Sequence, residues 1–313
     1  MTELLHQFVD AFAMWSEDVR DRPAIAFRPV EGAPLACFGP LPSVLGGPPP
    51  AGVWRAPSPR PVPGDGVMEV HTRRAAGARR GTAILVPPWK VPWLAAMSGY
   101  ARLLSAAGFD TWTLVPPRHL GRAPPGTRSG EGFVSPNLPE VRTALEQFVL
   151  EIRMLAALAG ARGGEVVLVG LSLGALAAGL AATGPERVDR LALVAPPADV
   201  GAVFAETRIG QRYFRLAARA GAPMAEPDTL REMLAPFCPD GRAPPAGRVM
   251  IAAGSQDRIA LCAGSLRLAR AWGVEPRVYS RGHLTLLFAC RALRRDLARF
   301  LAEPLAAHAA AAG

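Results

Sequence analysis

The chain has 313 residues, 50% of them hydrophobic and 19% charged, with a net charge of +9; that is room for one large domain or two small ones around a sizeable core. The positive charge lies on scattered arginines, paired only at Arg73-Arg74, Arg79-Arg80 and Arg294-Arg295, with no basic tail or zinc-finger spacing, so the composition speaks against nucleic-acid binding. Cys37, Cys238, Cys262 and Cys290 stand far apart and form no CxxC pair, which speaks against a metal site or a disulfide framework.

Residues 3–20 carry Leu4, Leu5, Phe8, Val9, Phe12 and Trp15 at helical spacing. The pattern predicts a helix packed on the body of the protein, with peripheral contact to a membrane or a partner as the alternative. Glu3 and Asp10, and the lack of a basic region followed by an apolar core, argue against a signal peptide and for a cytoplasmic location. Residues 22–66 are rich in Pro and Gly and are expected to be extended or irregular. Residues 1–66 thus read as an N-terminal helix and extension.

From residue 67 short aliphatic runs (67–72, 82–86, 110–115, 165–169, 190–195, 248–253 and 276–280) alternate with helical patterns at 91–107, 138–159, 173–183, 260–272 and 285–302. Such alternation predicts an α/β fold, a mostly parallel sheet with helices on both faces. The core is expected over 67–303, with a small helical cap inserted at about 198–246 and a frayed tail at 304–313. The uncharged stretch Val166–Pro185 contains four glycines and reads as a buried strand running into a buried helix, not a membrane span. Three strand runs end in LVPP (85–88), LVPP (114–117) and VAPP (194–197). Proline has no N–H for the ladder, so each pair stops its strand. Ligands of open α/β sheets bind beyond the carboxyl ends of the strands, and these endings mark that edge.

The 165–169 strand runs into Gly170-Leu171-Ser172-Leu173-Gly174 and then a small-residue helix. G-x-S-x-G between a strand and a helix makes Ser172 a candidate nucleophile on a sharp turn, where flanking glycines avoid backbone clashes. A serine hydroxyl needs a base. Only His283 and His308 follow Ser172, and His308 lies in the Ala-rich tail. His283, in Ser280-Arg281-Gly282-His283, follows the last strand and is the candidate base. The base needs a carboxylate to orient it. Asp257, in GSQDRI after the 248–253 strand, is favoured, with Asp199 after the 190–195 strand in reserve; Glu186, Asp189 and Glu275 precede strands, at the wrong edge.

With GLSLG, GSQDRI and RGH in this order, residues 67–303 resemble the α/β-hydrolase superfamily. The resemblance implies a Ser172–His283–Asp257 triad, an acyl-enzyme intermediate and no metal or cofactor. It also implies an oxyanion hole formed by the backbone N–H of Leu173 and one from the loop after the 82–86 strand. Pro87 and Pro88 have no N–H to donate, so the first free amide of that loop is Trp89. Many members carry His-Gly there; the VPPW of this chain is similar to polyhydroxyalkanoate synthases, which use a cysteine where this chain has Ser172.

Lys90, the only lysine of the chain, follows directly. It reads either as an ammonium for an anionic substrate group or as a surface lysine. The cap holds Phe204, Tyr213 and Phe214, candidate contacts for an apolar acyl group, and Arg208, Arg212, Arg215 and Arg219 at the spacing of one helical stripe, expected to be solvated. The function expected is a serine hydrolase acting on a small-molecule ester or thioester. An acyltransferase with the same triad and a non-catalytic binding protein on the same fold are the alternatives.

Overall fold

Within each strand run, successive side chains enter opposite layers. Ile84 and Val86 pack with one buried cluster and Ala83 and Leu85 with another, because alternate residues of a strand face opposite sides of the sheet. The computed structural model describes residues 6, 9–10, 28–30, 35–41, 48–219, 221, 226–245 and 247–305. It contains an eight-stranded sheet of β1 (Gly52–Val62), β2 (Asp65–Arg73), β3 (Gly81–Val86), β4 (Phe109–Leu114), β5 (Glu165–Leu171), β6 (Arg190–Val194), β7 (Arg248–Gly254) and β8 (Arg277–Tyr279). The spatial order is β1-β2-β4-β3-β5-β6-β7-β8. β1 pairs antiparallel with β2, β2 antiparallel with β4, and all other neighbours are parallel.

One face of the sheet is covered by α1 (Ser98–Ala106), α8 (His283–Ala289) and α9 (Arg291–Ala302). The other is covered by α2 (Leu138–Ala161), α3 (Leu173–Ala182) and α7 (Cys262–Ala271). Between β6 and β7 stand α4 (Val200–Glu206), α5 (Arg208–Arg219) and α6 (Pro227–Leu234), in the stretch where the cap was expected. The helical pattern over 285–302 is broken in two at Cys290, whose extended backbone ends α8 and whose Sγ accepts from Leu293 N to start α9.

The sheet starts earlier than residue 67. The proline-rich APSPRPV stretch is extended as part of the edge strand β1, paired with β2 at Ala56, Pro57 and Val62 across a register shift. The reason is positional: an edge strand needs only one of its two hydrogen-bonding sides, so prolines are tolerated there. Of the N-terminal pattern, His6, Val9 and Asp10 are helical, with His6 and Asp10 buried. The remainder of residues 3–20 and His308 lie outside the described residues. Among the described residues no helix is long and apolar enough to cross a membrane.

The chain passes from β3 to β4 on one side and then to β5 on the other. The strand order therefore switches at β3, where the carboxyl ends of β3 and β5 flank a crevice.

Candidate active site

Ser172 sits between β5 and α3 with φ 52 and ψ −120, a conformation that a non-glycine residue holds only where its surroundings enforce it. The enforcement is steric. A Cβ on Gly170 would lie 2.5 Å from Ala175 Cα, and one on Gly174 would lie 2.2 Å from Val86 O and 2.4 Å from Pro87 O. Only glycine at both positions lets α3 close on β5 and on the end of β3. Ser172 N also donates to Val194 O, which ties the turn to β6.

His283 is the first residue of α8. Its Nε2 is 2.8 Å from Ser172 Oγ and its Nδ1 is 2.7 Å from Asp257 Oδ2. All three side chains are buried. The other carboxylate oxygen of Asp257 accepts from the amides of Ile259 and Ala260 at 2.8 and 2.9 Å, which fixes its plane. Burial alone would depress the His283 pKa, but the Asp257 carboxylate, aided by Asp10, outweighs it and raises the value above 6.5. Burial alone would raise Asp257, but the facing imidazole and the two amides bring it below the ordinary carboxylate value. The reserve acid is otherwise engaged: Asp199 caps α4 by accepting from Ala202 N, and it pairs with Arg267.

The loop after β3 is built around Trp89. Its indole Nε1 donates to Gly130 O at 2.8 Å. The next residue, Lys90, has φ 56, and its amide donates to His119 Nε2 at 2.9 Å. An amide only donates and a carbonyl only accepts, so His119 carries its proton on Nδ1, toward Pro117 O, and is neutral. Burial, with the nearby charges of Arg122 and Lys90, pushes its pKa down to about 4. Gly130 completes the lock: a Cβ there would stand 2.5 Å from His119 Nε2. The His119 loop is anchored in turn by Asp65, whose Oδ2 accepts from Arg118 N and whose Oδ1 pairs with Arg122. Arg122 makes a bidentate pair with Glu151 at 2.7 and 2.8 Å, fully inside the protein. Among the described residues, the amides of Trp89 and Leu173 donate to no other protein group.

Ser172 opens into a cavity with an empty volume of about 700 Å³, counting its mouth. Its walls include Trp89, Phe133, Val141, Leu145, Leu173, Leu176, Phe204, Ile209, Phe237, Ile259 and Ala260. Among the described residues no charged side chain lines it. Phe204 of α4 is in the wall. Tyr213 and Phe214 are not: with Phe204 they line a separate small pocket walled by Pro136, Leu138 and Leu230, while α5 meets the cavity through Ile209. Lys90 is also outside the lining, with its Nζ 4.5 Å from the centroid of the Trp89 ring. In the arginine stripe, Arg208, Arg215 and Arg219 are exposed but Arg212 is buried, so the stripe is not wholly solvated. No group of His, Cys, Asp and Glu able to hold a metal ion occurs among the described residues.

The fold is that of the α/β hydrolases. Solved structures of similar shape include an acetyl xylan esterase from Paenibacillus sp. R4, with 13% identity, 96% of this chain and 93% of that chain covered and a TM-score of 0.58. An esterase from Pyrococcus furiosus matches at 15% identity, 77% and 88% coverage and a TM-score of 0.53. A monoacylglycerol lipase from Paleococcus ferrophilus matches at 17% identity, 74% and 98% coverage and a TM-score of 0.52. At such identities the likeness is one of fold. No protein-family model and no curated protein matches the sequence.

Sequence reasoning missed His119, Phe133 and Asp10. His119 had a signal: it stands three residues after Pro116, at the same carboxyl edge where Trp89 follows Pro87-Pro88. Phe133 had none, and although Asp10 lies within the helical pattern of residues 3–20, that pattern does not say which remote group its carboxylate meets.

Proposed function

We propose that the chain is a serine hydrolase that cleaves a carboxylic ester or thioester with an apolar acyl group. The observation that carries this reading is the hydrogen-bonded line Ser172–His283–Asp257 opening into an uncharged cavity. Ser172 Oγ attacks the acyl carbon while His283 Nε2 takes its proton, and Asp257 steadies the imidazolium. The carbonyl oxygen becomes an oxyanion and is met by the N–H groups of Leu173 and Trp89, two donors already free of other work. Collapse of this intermediate expels the alcohol or thiol, which takes the proton from His283, and leaves an acyl group on Ser172. Water then attacks the acyl-enzyme with His283 again as base, releasing the acid and restoring the serine.

The cavity supports the acyl side of the substrate. Among the described residues, apart from Ser172, the one polar side-chain group at its wall is the Trp89 indole N–H, and that is engaged by Gly130. Burial of apolar groups contributes about 25 cal/mol per Å², so binding rests on hydrocarbon and not on charge. A fluorophosphonate should label Ser172 in the wild type and not in Ser172→Ala, and a panel of p-nitrophenyl esters and acyl thioesters should be turned over only by the labelled form. A folded preparation that is neither labelled nor active on the panel removes this reading.

A further inference from the structure

The base has a second carboxylate beside it that the proposed chemistry does not use. Asp10, from the N-terminal segment, is buried, and its two oxygens accept from the backbone amides of His283 (2.7 Å) and Leu284 (3.0 Å). These are the first two residues of α8. The leading N–H groups of a helix have no intrahelical acceptor and carry the positive end of its dipole. Ordinarily the residue at the cap position satisfies one of them with its own side chain. Here that residue is Gly282, which has none, and which could not be replaced by a larger one. A Cβ on it would stand 2.6 Å from Asp10 Oδ2 and 3.0 Å from His6 O. The cap is therefore delivered from a segment 273 residues away in sequence.

Position and charge both matter at this point. α8 is only seven residues long, so its first turn sets where the His283 ring points. With the His283 amide fixed, the ring reaches Ser172 on one side and Asp257 on the other. The uncapped start of a helix would also place partial positive charge beside an imidazole that must become a cation. A carboxylate on those amides cancels it. The titratable groups facing His283 are Asp257 from the loop after β7 and Asp10 from the N-terminal segment, with His6 next to Asp10 on that segment.

We infer that Asp10 is a positioning residue for the base, and that the N-terminal segment is thereby a working part of the site: its carboxylate holds the first turn of α8 so that His283 stays in line with Ser172 and Asp257. This rests on the serine-hydrolase reading above. It makes Asp10 more than a residue of a surface helix, since the site is incomplete without it.

The test uses the full-length protein with Asp10→Ala and the near-isosteric Asp10→Asn. Both are compared with wild type in fluorophosphonate labelling rate, in kcat and KM on one neutral ester, and in the pH profile of kcat/KM. The expected result is a fall in kcat and in labelling rate of about ten- to a hundred-fold, with KM changed less than about threefold and the acid limb of the profile moved to lower pH. Asp10→Asn keeps one acceptor oxygen and should retain more activity than Asp10→Ala while showing the same shift of the acid limb. Folding is checked by circular dichroism. A folded Asp10→Ala protein that labels at the wild-type rate with an unmoved acid limb overturns the inference. So does a loss of rate in both variants with the acid limb unmoved, which is the signature of a merely structural contact. Failure of the wild type to label would instead remove the underlying reading, so the two failures are distinguishable.

Discussion

Ser172 and His283 meet across 2.8 Å, yet they are held by opposite kinds of structure. Ser172 is fixed by its neighbours in sequence. Gly170 and Gly174, two residues either side, let α3 and the end of β3 close around it, and the turn hangs on the centre of a parallel sheet. His283 lies toward the sheet edge, after the three-residue strand β8, and is fixed by remote residues: Asp257 after β7 and Asp10 from the N-terminal segment. The proposed nucleophile is thus a local motif and the proposed base a tertiary assembly. Substitutions around Ser172 should act through sterics, and those around His283 through hydrogen bonds and charge.

The largest effects test both halves at their reacting atoms. Ser172→Ala should lower kcat by about four to six orders of magnitude, and Asp257→Asn by about ten-thousand-fold, because an amide cannot hold the imidazole in the required tautomer. Single-turnover kinetics would check both; equal, modest losses would break the assignment of roles. Next comes Gly174→Ala. Its Cβ cannot stand 2.2 Å from Val86 O, so α3 must move off β3 and carry the Leu173 amide with it. The expected loss is about a hundred-fold in kcat, with about 1–3 kcal/mol of stability, read from kinetics and urea unfolding.

Charge should govern the other half. Below its pKa His283 is protonated and cannot take the serine proton. Since the folded value is raised, kcat/KM should begin to fall above pH 6.5 as the pH is lowered, and the midpoint should move down in Asp257→Asn. A midpoint below 6.5 in the wild type would mean that burial outweighs the carboxylates. A smaller effect is expected at His119, which positions Trp89 without touching substrate. His119→Ala should cost about tenfold in kcat, and His119→Gln should recover part of it, because an amide oxygen can accept the Lys90 N–H. The smallest belongs to Lys90→Met. With its ammonium on the Trp89 ring and outside the cavity wall, the loss should be about twofold or less and equal on neutral and anionic esters. A selective loss on anionic esters of more than tenfold would return Lys90 to substrate binding.

The parallel core, its strand ends and the elbow were legible because each is a local code. β-branched and aliphatic runs of strand length, Pro-Pro stops and G-x-S-x-G act within a few residues, where covalent geometry and sterics decide. His283 and Asp257 were legible by order and by position after strands. The proline-rich β1 was not, because edge pairing depends on which strand lies beside it. Nor were Tyr213 and Phe214 separable from Phe204, since an aromatic at helical spacing does not say which side of α5 meets the cavity.

The sequence by itself determined the fold class and singled out the proposed nucleophile and its two proposed partners, since those follow from local pattern and chain order. Tertiary structure alone decided that the first amides of α8 are capped by Asp10, that His119 holds the Trp89 loop, that Lys90 turns to an indole face and that no charged side chain among the described residues lines the cavity. Each of these depends on groups far apart in the chain meeting at one point, and pairwise distance across a folded sheet is not written in the order of residues.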